Sequence, residues 1–144
     1  MNYGYFDKPN KEYVITDPKT PTKWVNYIGT LAFGGFVDHN GGGVICKQDP
    51  YLNRITKYIP QLPAGSMNGE TLYLRVKAAG KAPALVAPFF TPVLEPLESW
   101  ECRVGLGYNR WTAKAHGVSV QVTAFVPFDS QRVLGQSVGI AIRE

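Results

Sequence analysis

The sequence predicts an all-β domain built as an antiparallel β-sandwich. Three observations carry that reading. Apolar and polar residues alternate with a period of two, as in Val118, Val120 and Val122 against Ser119, Gln121 and Thr123. Turn chemistry recurs between the short runs, with 15 glycines and 11 prolines in 144 residues. No run of ten or more residues keeps apolar positions at i, i+3, i+4 and i+7 without a Gly or Pro intervening, so helix is minor at most.

The elements follow in chain order. YGYFD and EYVIT, separated by KPNK, read as two short strands joined by a turn. DPKTPT breaks the chain before a third strand, KWVNYIG. LAFGGFVD and GGGVICK flank HNG, and Asn40-Gly41 is a strong hairpin signal. NRITKYI and TLYLRVK read as half-buried strands. Ile55, Lys57 and Ile59 alternate with Arg54, Thr56 and Tyr58 in the first, and Leu72, Leu74 and Val76 share a face in the second. YNRWTAKA and VSVQVTAFV pair through His116-Gly117. RVLGQSVGIAIR is a last strand interrupted at Gly135 and Gly139, and an open, incomplete sandwich edge is expected near residues 133–143.

An apolar fraction of 44% with 18% charged residues excludes disorder as the main state and fits one domain over residues 1–144. A chain of this size buries roughly 70% of the surface it exposes when unfolded. The net charge of +4 comes from basic residues scattered singly, among them Lys23, Lys47, Arg54, Lys57 and Arg75, so no nucleic-acid stripe forms. MNYGYFDKPN has no apolar signal core, and runs such as ALVAPFF are too short for a bilayer. A cytoplasmic protein with no membrane partner is expected. Cys46 and Cys102 are then free, mostly buried thiols rather than a disulfide.

Catalytic chemistry finds little support in the residues. GLGYNR lacks the third glycine of a phosphate-binding G-x-G-x-x-G, and a strand follows where a helix would be needed. GGFVDHNGGG lacks the Gly-Lys-Ser/Thr ending of a P-loop. His39, Cys46, Cys102 and His116 show no metal-ligand spacing, and His116 opens a hairpin turn. Glu95, Glu98 and Glu101 lie along one segment instead of facing one another across a cleft. Cys102 has no local activating partner beyond Arg103. The aromatic content of 12% leaves two readings open, ordinary core packing or platforms for sugar rings.

The order of the segments adds a resemblance. YGYFDKPNKEYVIT, PTKWVNYIGT, HNGGGVICKQDPYLNRITKY, GETLYLR and WECRVGLGYNRWTAKAHGVSVQVTAFVPF, over most of residues 3–128, resemble the beginning of the cellobiose phosphorylase family, glycoside hydrolase family 94. The resemblance implies a supersandwich-like N-terminal domain that precedes a helical linker and an (α/α)6 barrel. It further implies inverting phosphorolysis of a β-glucoside, with an Asp general acid in the barrel, inorganic phosphate as co-substrate, no other cofactor and no metal. On that reading this chain is an N-terminal fragment without the barrel, and no catalytic residue is assigned to it. Asp38, Asp49 and Glu101 are not substitutes for the acid.

The implied partners are the barrel, a second copy in a homodimer and a β-linked gluco-oligosaccharide or disaccharide. Within WECRVGLGYNRW the resemblance turns attention to Arg103, Tyr108 and Arg110 as side chains facing the barrel or the partner subunit, with Trp100 and Trp111 packing. Direct sugar contact by these five is the lesser reading. Two alternatives stay open: a free-standing carbohydrate-binding module and a non-enzymatic assembly domain. Cellobiose, longer cellodextrins, laminaribiose and chitobiose all remain compatible as substrates.

Overall fold

The computed structural model describes residues 2–59, 61, 71–77, 80 and 82–127, and the backbone of residues 135–142. Among them eleven strands occur: β1 (Gly4–Asp7), β2 (Glu12–Ile15), β3 (Val25–Gly29), β4 (Gly34–Asp38), β5 (Gly43–Cys46), β6 (Leu74–Val76), β7 (Ala84–Val86), β8 (Ser99–Gly105), β9 (Tyr108–Ala115), β10 (Val118–Phe125) and β11 (Gly135–Ile142). No helix occurs among the described residues. All pairings are antiparallel. One sheet has six strands in the order β1-β2-β8-β9-β10-β11, a second is β3-β4-β5, and β6-β7 is a two-stranded ribbon.

The three-stranded sheet covers one face of the six-stranded sheet, as a sandwich requires. Ile28, Val37 and Ile45 meet Ile15, Cys102, Trp111, Val120 and Val122 in one buried cluster. Leu72, Leu74 and Val76 pack against its margin, as their alternation predicts. In β9 and β10 the inward residues are buried and nearly all the outward ones are partly exposed, which follows from the two-residue period.

Two turns show how sequence dictates hairpin geometry. At His116-Gly117 both central residues have positive φ, 53° and 76°, as a two-residue turn matched to strand twist demands. Asn40-Gly41 also joins paired strands, but in a longer loop. Val37 pairs with Gly43, and the Asp38 N–H donates to the Gly42 carbonyl at 2.6 Å. Only Gly41 there has positive φ, 84°. A Cβ on Gly41 would stand 2.6 Å from Phe89 Cγ, inside a ring that packs edge-on to Trp111 at 4.8 Å. Gly41→Ala is therefore expected to cost about 2–4 kcal/mol, positive φ and overpacking together. Gly107→Ala, at φ 79° with nothing within 4 Å, is expected to lose about 1 kcal/mol, from backbone strain alone. Urea denaturation midpoints of the two variants check the difference.

Two expectations are corrected. NRITKYI is not a strand: it makes one isolated bridge, Cys46 with Arg54, and its inward face is the opposite of the apolar one. Ile55 is exposed while Tyr58 is buried. The reason is a side chain doing ladder work: the Thr56 hydroxyl accepts from the Ile45 N–H at 2.9 Å and donates to the Gly43 carbonyl at 2.8 Å. Gly139 does not interrupt the last strand, since β11 keeps continuous register with β10 from Gly135 opposite Phe125 to Ile142 opposite Val118.

Candidate functional site

WECRVGLGYNRW folds as a hairpin. Gly105 pairs with Tyr108 across Leu106-Gly107, and register continues to Ser99 opposite Lys114. Alternation then sorts its side chains by face. Glu101, Arg103, Tyr108 and Arg110 lie on the face away from the second sheet, while Trp100, Cys102 and Trp111 point into the sandwich.

The outward group gathers around Glu12 of the neighbouring β2, a carboxylate only 4% exposed. Arg103 Nη1 lies 3.0 Å from Glu12 Oε2 and 2.9 Å from Asp7 Oδ2, and its Nε lies 2.9 Å from Glu101 Oε1. The Tyr108 hydroxyl donates to Glu12 Oε1. Arg110 sits farther off, with Nη1 3.6 Å from Glu12 Oε1 and its guanidinium 5.3 Å from the Tyr108 ring centre. Its Nε is buried without a hydrogen-bond partner, so Arg110 retains unused donor capacity.

Electrostatics make this face a fixed lattice of charges. Burial pushes Glu12 up, but donation from Tyr108 and the two guanidinium groups outweigh it and hold the carboxyl below its ordinary value. The Asn10 amide, then Arg103, lowers Asp7. Glu101, Glu12 and Asp7 raise Arg103, and the bond to Glu12 raises Tyr108. Each of these shifts leads away from neutrality, and general acid–base catalysis needs a group poised near the working pH. These groups hold one another in their charged or neutral forms through direct contacts.

The two tryptophans serve packing. Trp111, 1% exposed, donates from Nε1 to the His39 carbonyl at 2.6 Å. Trp100 is half-buried and donates to the Pro88 carbonyl at 3.1 Å. Both indole N–H groups are thus occupied by backbone.

Sequence reasoning missed a buried polar knot behind them. Asp38 and His39 are each 1% exposed. Asp38 Oδ1 accepts from the N–H groups of Asn40 at 2.7 Å and Gly42 at 3.0 Å, and Oδ2 accepts from the Tyr58 hydroxyl at 3.0 Å. His39 Nδ1 accepts from the Trp24 N–H at 3.2 Å, which places the proton on Nε2, facing the Pro18 carbonyl at 3.1 Å and Thr20 Oγ1 at 2.9 Å. The available signal was Asp-His-Asn inside an otherwise apolar hairpin, where buried polar groups must find partners.

Other sequence candidates are dispersed. Among the described residues no three His, Cys, Asp or Glu side chains form a metal-binding group. Cys46 and Cys102 are free thiols, and burial raises the Cys102 thiol well above its ordinary value. Glu98 accepts from the His116 N–H of the β9–β10 turn at 2.9 Å, and Asp49 makes a local turn contact with the Tyr51 N–H at 2.6 Å. Among the described residues no helix is long and apolar enough to cross a membrane.

The family model "Glycosyl hydrolase 94, supersandwich domain" matches residues 11–134. The chain is 37% identical over 129 residues to N,N'-diacetylchitobiose phosphorylase of Vibrio furnissii, covering 88% of this chain and 16% of that protein. It is 25% identical over 130 residues to 3-O-beta-D-glucopyranosyl-beta-D-glucuronide phosphorylase of Paenibacillus borealis, covering 90% of this chain and 15% of that protein. Solabiose phosphorylase of the same organism is 28% identical over 127 residues, covering 86% and 16%. The chain thus spans about a sixth of the length of the relatives it matches. With the all-β sandwich and the family match in agreement, the chain belongs to the glycosyl hydrolase 94 family, of which it carries the supersandwich domain.

Proposed function

We propose that this chain is the N-terminal sandwich platform of an inverting glycoside phosphorylase, which uses inorganic phosphate to split a β-linked disaccharide. The family match over residues 11–134 carries the reading. The hairpin chemistry is consistent with it: the charged groups on its outer face are shifted away from neutrality, and on this reading the general acid is supplied by the (α/α)6 barrel. On this reading the exposed part of the Arg110 side chain faces the barrel or a second subunit. No cofactor besides phosphate is required, and two free thiols suit a cytoplasmic enzyme.

The test is a domain exchange. The chain alone, given phosphate and either cellobiose or N,N'-diacetylchitobiose, should release no sugar 1-phosphate. The Vibrio furnissii relative with its own sandwich replaced by residues 11–134 should release it, and Arg110→Ala in that chimera should weaken the domain contact. Phosphorolysis by the isolated chain would overturn the reading. A folded but silent chimera, with sugar affinity residing in the isolated chain, would favour a carbohydrate-binding module.

A further inference from the structure

At one end of the six-stranded sheet, the β1–β2 turn and the β8–β9 turn enclose an open pocket of about 580 Å³. That volume lies within the range of small-molecule sites. Its walls are mainly apolar. The Phe6 ring is 75% exposed and is held edge-on by Tyr13 at 4.8 Å, and Leu106 at the opposite hairpin tip is fully exposed. Two large apolar side chains left in water thus line one pocket.

The polar lining is sorted by charge. Asp7 and Glu12, although they flank the β1–β2 turn, are engaged by Arg103. The Asn26 side-chain NH2 is already engaged by the Gly105 and Tyr108 carbonyls and Asn109 Oδ1, at 2.9–3.1 Å, so it has no donor to spare. Lys8 and Lys11 also line the pocket, and no ion pair among the described residues involves either. The turn that presents them is fixed, because Asp7 accepts from both the backbone N–H and the side-chain amide of Asn10. The pocket therefore offers two ammonium groups without an ion pair among the described residues, beside an exposed aromatic face and few other donors.

We propose that this pocket binds a pyranose carrying an anionic substituent, a phosphate or a carboxylate. The sugar's C–H face lies on Phe6 and its anion meets Lys8 and Lys11. A neutral sugar finds few hydroxyl partners there, and bare phosphate uses none of the apolar wall. The choice of a pyranose rests on the phosphorylase reading; the charge and the apolar wall do not.

The test is an amide-resolved NMR titration of the full chain with glucose 1-phosphate, glucuronate, glucose, inorganic phosphate and phenyl phosphate. Glucose 1-phosphate or glucuronate should shift residues 6–11 and 104–106, and whichever binds identifies the anion. Glucose and inorganic phosphate should bind at least about tenfold more weakly, the worth of one charge-assisted contact or of the lost apolar face. Lys8→Gln with Lys11→Gln should weaken the anionic sugar by about tenfold or more. Both are exposed, so folding should survive, and Leu106→Ser removes part of the wall at an equally exposed site. Binding unchanged in the lysine variant, or inorganic phosphate matching the sugar phosphate, would overturn the proposal. Phenyl phosphate binding where neither anionic sugar does would also overturn it, while leaving the phosphorylase reading to the domain exchange.

Discussion

Arg103→Ala should lower unfolding stability by about 2–4 kcal/mol, the scale of breaking a buried ion pair reduced for partial exposure. Glu12 sets that cost. It is 4% exposed, and without Arg103 its remaining partners are the Tyr108 hydroxyl and a guanidinium 3.6 Å away. A carboxylate left buried with less compensation costs more than the lost contact itself. Acid titration gives an independent signature. Because the folded state holds Glu12 below its ordinary 4.5, the stability it contributes is complete above that pH and is lost as pH falls through the folded value. Arg103→Ala should flatten that acid slope. Arg103→Met combined with Glu12→Leu should recover part of the loss, since no buried charge is then orphaned. A single variant within about 0.5 kcal/mol of the parent would show a solvated surface pair instead.

The contrast between this network and the strands around it shows what sequence can disclose. Val118, Val120 and Val122 were legible as an inward face because alternation is local, and His116-Gly117 was legible because turn geometry constrains two adjacent residues. Arg103, Tyr108 and Arg110 could be singled out, and they do share a face. Their partners could not be read: Glu12 is 91 residues from Arg103, and the two meet only because β2 lies beside β8 in the sheet. Periodicity carries no information about strand order. NRITKYI misled for a related reason, since a threonine hydroxyl replaced ladder bonds and let Tyr58 turn inward toward Asp38. Asp38 and His39 look like solvated loop residues in a glycine-rich turn until packing encloses them.

That enclosure sets the largest expected loss. Asp38→Ala should destabilise the domain by about 3–5 kcal/mol, because three donors lose their acceptor at a buried site and each costs about 1–3 kcal/mol before relaxation. Those donors are the Asn40 and Gly42 N–H groups and the Tyr58 hydroxyl, so the hairpin loop and the segment ending at Tyr58 loosen together. Asp38→Asn should cost far less, since its oxygen still serves the two N–H groups and the Tyr58 hydroxyl can rotate to accept from the new amide. His39 adds a pH dependence of definite sign. Burial lowers it below its ordinary 6.5, and protonation would turn Nδ1 into a donor facing the Trp24 N–H. Its contribution is complete above pH 6.5 and is lost as pH falls from there towards the folded value. Burial raises Asp38, which works oppositely: above its ordinary 3.8 the folded state keeps a proton the unfolded chain releases, so acid favours folding there. His39→Gln, which cannot titrate, should therefore flatten stability between pH 7 and 5, and Asp38→Asn should remove the opposing trend that begins above pH 3.8. Chemical denaturation across that range decides the matter. Equal slopes in the parent and His39→Gln would mean that His39 does not sit neutral in the knot, and an Asp38→Ala cost below about 1 kcal/mol would mean that water already serves the three donors.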